Sequence, residues 1–109
     1  HGFNAPAVIG TSSILESKGW YTADATLAGQ YATTVGAAHI VIGHTPGALG
    51  FVGSIGADSA KTLFKIDCGI ANGDSQGAIL RVTHSAANEV AEELKPDGTV
   101  TSPPIYSGP

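Results

Sequence analysis

The chain contains no methionine, and Cys68 is its only cysteine. A lone thiol cannot close an internal disulfide and excludes a multi-cysteine zinc site. Charge is scarce as well: Asp, Glu, Lys and Arg make up 13 % of 109 residues, where about 25 % is ordinary. The five basic residues are scattered and the net charge is −4, so the basic patch expected of a nucleic-acid binder is missing. No apolar run approaches the roughly 20 residues needed to span a bilayer. Aromatic residues are few, at 6 %. The apolar share of 42 % is ordinary and argues against intrinsic disorder. Fifteen glycines and six prolines make turns frequent. The length fits one domain or a piece of a larger one. A chain that starts at His1 is read as processed, cleaved or part of a longer polypeptide. Residues 1–102 are expected to form a single domain or a C-terminal half-domain, with 103–109 as a tail.

The pattern predicts an α/β fold with a helix packed on a mixed β-sheet. Ala7 to Ile9 reads as a short strand, and Trp20-Tyr21 as the start of a docking segment. A helix is expected from about Ala23 to Val35, with Leu27, Ala28, Tyr31, Ala32 and Val35 on one apolar face. Thr22 suits its N-cap, Asp24 its first turn, and Gly36 the left-handed residue after its end. Ala38 to Ile42 reads as a strand covered on both faces, with Ile42 buried, and helix followed by buried strand is half of a parallel crossover unit. A Gly-rich loop follows to Ala60, with a short strand at Phe51-Val52. Further strands are expected at Lys61 to Asp67 and Ala78 to Thr83. Asn88 to Leu94 suits a strand or one helical turn. Residues 100–109 are polar and expected to be ordered only where they pack on something.

The most specific local signal is Ile40-Val41-Ile42-Gly43-His44-Thr45-Pro46. A buried strand that runs into a glycine and then a histidine projects an imidazole at the C-terminal end of a sheet, where open α/β folds place ligands. Imidazole is a good ligand for Zn, Fe, Mn or Cu. An isolated histidine after a strand is also an ordinary loop residue, and both readings stand. Asp67 is read as ordering the turn after its strand, and Cys68 as a half-buried thiol that behaves as a small hydrophobe. His39 is read as a satisfied sheet residue and His84 as solvated. Asn72-Gly73-Asp74 reads as a turn, and Glu89, Glu92 and Glu93 as a solvated face.

Gly43-His44-Thr45-Pro46 after a β-branched strand resembles the last metal-binding motif of the calcineurin-like metallophosphoesterases. Ile66-Asp67-Cys68-Gly69-Ile70 and then Gly77-Ala78-Ile79-Leu80-Arg81-Val82 resemble the family's following strand–loop–strand. Gly19-Trp20-Tyr21 and the Gly-Ala before the strand are similar to its protein-phosphatase-like bacterial branch. His1-Gly2 is similar to that branch's His-Gly-Gly or His-Ala-Gly motif. The resemblance covers about residues 1–83 and implies half of the family's αββα sandwich. It implies His44 and His1 as metal ligands, divalent Mn, Fe, Zn or Mg as cofactor, and a phosphorylated substrate. The activity it implies is attack of a metal-activated hydroxide on a phosphate ester. The family's Asp-x-His, second Asp and Asn-His motifs do not occur in these residues. The expectation is therefore the C-terminal portion of a phosphoesterase, inactive as an isolated chain, with no catalytic residue of its own assigned.

Two other classes remain open. A start at His1-Gly2-Phe3 is similar to secreted copper proteins that chelate copper through the terminal amine and first imidazole, with His39, His44 or His84 as second ligand. Low charge and β-rich stretches also suit a secreted structural or self-assembling subunit. An open sheet edge would pair with another copy of the chain.

Overall fold

The computed structural model describes residues 25–109. The expectations for the strand at 7–9, the Thr22 cap, Asp24, Trp20-Tyr21 and His1 lie outside the described residues.

The described chain is a small mixed α/β unit with one helix and two small sheets. Helix α1 spans Ala25–Val35. Its buried stripe is narrower than expected: Ala28 and Ala32, four residues apart, are buried, while Tyr31 and Val35 are exposed. Two small side chains one turn apart let a neighbour approach closely, but they cover only a thin line of the helix. The helix end is built as expected. Gly36 takes the left-handed conformation at φ 71°. Gly36 N–H donates to Thr33 O at 3.1 Å and Ala37 N–H to Ala32 O at 2.9 Å, closing the last turn.

The first sheet has the order β1-β3-β2. Strand β1 (Ile40–Ile42) runs parallel to β3 (Leu63–Lys65), with Ile40 opposite Leu63 and Ile42 opposite Lys65. Strand β2 (Gly56–Ala57) pairs antiparallel with β3 on its other side. Two expectations change here. The strand whose residues are all buried is β3, which is central in the order β1-β3-β2. Among the described residues β1 is at the edge of this sheet, and Val41 is 53 % exposed and Ile42 only half-buried. The short strand expected at Phe51-Val52 forms instead at Gly56–Ala57. The Phe51 carbonyl is taken by the Lys65 ammonium, and the Phe51 ring lies where a Cβ on Gly56 would stand.

The second sheet is antiparallel, β4 (Ile79–Ser85), β5 (Asn88–Leu94) and β6 (Tyr106–Gly108) in that order. The 88–94 segment is thus a strand, joined to β4 by the two-residue turn Ala86-Ala87. The C-terminal residues do pack: Tyr106 pairs with Ala91, and Val100 bridges to Leu94. The sheets meet through Ala57 and Phe64 from one and Ala91, Leu80, Ile105 and Tyr106 from the other. His39 stands edge-on to Phe64 and Tyr106, with centroids 5.4 and 4.8 Å away. No helix among the described residues is long and apolar enough to cross a membrane.

Candidate functional site

The parallel β1–β3 pair decides what shares an edge. Ile66 N–H donates to Ile42 O at 2.9 Å, carrying the ladder one step past both strands. His44 lies two residues beyond β1, and Asp67 two residues beyond β3, so both stand at the C-terminal edge of this sheet. His44 is exposed. Its backbone, not that of Gly43, takes the left-handed conformation, at φ 67°. A non-glycine residue held there costs roughly 1 kcal/mol or more, and such strain gathers at functional sites. Thr45 O then accepts from Ala48 N–H at 3.0 Å, starting the 3-10 turn at Ala48–Gly50.

Asp67 orders its turn as read from sequence: Oδ1 accepts the Gly69 N–H at 2.9 Å. Gly69 is left-handed at φ 72°, and a Cβ there would collide with the Asp74 carboxylate, so the position requires glycine. Ser75 Oγ donates to Cys68 O at 2.8 Å. Cys68 itself is buried rather than half-buried.

Beneath this edge lies a residue the sequence reading passed over. Lys65 in β3 is fully buried, with no exposed surface, whereas Ile66 beside it is 40 % exposed. Lys65 Nζ donates to Phe51 O and, at 2.8 Å, to Ser54 O, fastening the 51–54 loop to the sheet. Burial lowers its pKa from the ordinary lysine value, and the charges of Asp67, Cys68, Asp74 and Glu93 pull the other way. The signal was a charged residue amid the apolar run Leu63-Phe64-Lys65-Ile66.

The glutamates of β5 are not one solvated face. Strand alternation puts Glu89, Ala91 and Glu93 on one side, and Ala91 and Glu93 are each 3 % exposed. Glu93 Oε1 accepts from Ile55 N–H at 3.1 Å, tying the two sheets. Glu92, on the other side, meets Arg81 at 2.7 Å. Glu93 also floors a cleft of about 290 Å³ with Ser75, Gln76, Lys95 and Asp97 on its walls. The Thr99 hydroxyl and amide hold the Asp97 carboxyl below its usual range.

His39 is half satisfied. Its Nδ1 donates to Lys61 O at 2.7 Å, while Nε2 is buried with no hydrogen-bond partner, 3.8 Å from Glu89 Oε2. His84 is largely exposed as expected and meets Glu89 Oε1 at 3.1 Å. Asn72-Gly73-Asp74 closes a 3-10 turn at Ile70–Asn72.

Among the described residues, no group of three or more His, Cys, Asp or Glu side chains is placed to hold a metal ion. By themselves these residues do not fit the pair of divalent ions that the resemblance implies. His44 is a single imidazole, and hard divalent ions need carboxylates as well. His1, the other implied ligand and the anchor of the copper reading, lies outside the described residues. No protein-family model, curated protein or solved structure matches the chain.

Proposed function

We propose that the chain is the C-terminal portion of a metal-dependent phosphoesterase, inactive as these 109 residues alone. In this reading His44 is one ligand to a divalent ion, and the carboxylate ligands come from outside the described residues. The observation that supports it most is the parallel pairing of Ile40–Ile42 with Leu63–Lys65. It sets His44, exposed and on strained backbone, on the same sheet edge as the Asp67 turn. These are the two segments that carry the motif resemblance.

The test is hydrolysis of p-nitrophenyl phosphate with Mn, Zn, Fe or Mg. The polypeptide isolated from its source, at whatever length it occurs, is compared with the 109 residues alone. Turnover is expected only in a longer form and should fall about 100-fold or more in His44→Ala. Turnover by the 109 residues that depends on His44 would show a complete site here and defeat the reading.

A second reading, a self-assembling β-rich subunit, is favoured by β4. This seven-residue strand has its outer edge free of strand partners among the described residues, and all but Leu80 of it is exposed. Such an edge is a template for another chain.

A further inference from the structure

We propose that Asn72 is a site of spontaneous deamidation in the folded protein, with Gly73 supplying the attacking amide nitrogen. The inference does not depend on the phosphoesterase reading. Three features of the 69–74 turn carry it. Asn72, Gly73 and Asp74 are all exposed, and the 3-10 turn Ile70–Asn72 has no buried residue and no side-chain cap. Local opening of so thinly packed a turn is cheap. Gly73 has no side chain to hinder its own amide nitrogen, and apart from its chain neighbours nothing lies within 4 Å of where a Cβ would stand, so the turn has open space on that side. One hydrogen bond, Gly73 N–H to Ile70 O at 3.1 Å, holds the nucleophile itself, and two more, from Asn72 and Asp74 N–H to Gly69 O at 3.0 Å each, close the turn around it. The Asn72 amide meanwhile makes a single long contact, Nδ2 to Asp74 Oδ2 at 3.4 Å.

The chemistry needs only water. Gly73 N loses its proton and bonds to Asn72 Cγ, and Nδ2 takes up a proton and leaves as ammonia. Water then opens the cyclic imide at either carbonyl, giving aspartate or isoaspartate. The product adds a negative charge to a chain of net charge −4. It turns the Asn72–Asp74 contact into a like-charge pair, and isoaspartate lengthens the backbone inside the turn. Asn88 is the internal contrast: it sits half-buried in β5, opposite Ser85, and is followed by Glu89.

The full chain is incubated folded in mildly alkaline buffer and then cut with trypsin. The fragment between Lys65 and Arg81 should gain the mass difference between OH and NH2 and split into two chromatographic species. Fragmentation should place the change at Asn72, and an isoaspartate methyltransferase should label one species. The rate should lie within about 100-fold of that of the same peptide free in solution, since at most the three hydrogen bonds that close the turn must open. Asn72→Gln should abolish the change. Mass gain mapping to Gln76, gain persisting in Asn72→Gln, or a folded rate more than about 100-fold below the free peptide would overturn the proposal, the last because the turn would then be opening only with the whole fold.

Discussion

Lys65 illustrates how one buried charge can organise an edge. Its ammonium satisfies the carbonyls of Phe51 and Ser54, which the loop would otherwise leave without partners. Replacing it with methionine keeps the apolar stem but strands both acceptors, so Lys65→Met should cost about 2–4 kcal/mol in urea unfolding. The pH dependence follows from the lowered pKa. The unfolded chain keeps the proton to higher pH than the folded one. Stability of the parent relative to Lys65→Met should therefore rise as pH climbs through the folded pKa, and level off past the ordinary value of 10.5. A difference between the two proteins that is flat with pH would mean the lysine stays equally protonated in both states. His44 makes the opposite trade. Its left-handed backbone suits glycine, so His44→Gly should stabilise the fold by about 0.5–1 kcal/mol in the same assay while removing the imidazole. The place of His44 at the sheet edge was legible from sequence because a β-branched strand runs into it. Lys65 and Glu93 were not, because charge is normally a sign of exposure. Only the pairing of β3 between two strands, and the alternation of β5, show these two side chains turned inward.

At the scale of elements, local signals carried the reading where they were self-contained. The helix end at Gly36 and the Asp67 turn depend on neighbours a few residues away, and both stand as expected. The choice of strand over helical turn at 88–94 is made by its pairing with β4, which the sequence pattern left open. Coverage of β1 and the place of β2 depend on which strand ends up central, which no local window specifies. Phe64 is the residue that couples these elements. It is 3 % exposed, pairs through β3 with both β1 and β2, and faces His39 and Tyr106. Phe64→Ala should cost about 3–5 kcal/mol. The loss should spread, since Ala91, Leu80 and Tyr106 of the second sheet pack on the same cluster. Hydrogen exchange should show β4 and β5 amides losing protection together with those of β3. Intact protection in β4 and β5 would mean the two sheets are stable independently.

At the scale of the molecule, the described core is built largely from small side chains. Five of its nine buried hydrophobic residues are alanines, while Val35, Val41, Val52, Ile70, Ile79 and Val82 are each more than half exposed. Small cores stabilise weakly, and large apolar surface left in water favours association. Val41 and Val82 line one shallow apolar groove with Leu80 and Tyr106, so β1 and β4, each at the edge of its sheet among the described residues, open on the same groove. A covering element would bury these valines, whether it comes from outside the described residues or from a second copy. The two cases differ in their dependence on concentration. If copies pair through β4, sedimentation velocity of the 109 residues should shift to larger species as concentration rises. Val82→Lys should return them to monomer, because a lysine on an edge strand must be desolvated for another strand to dock. A monomer at every concentration, unchanged by Val82→Lys, would remove the assembly reading. It would leave the groove to be covered by something other than a second copy.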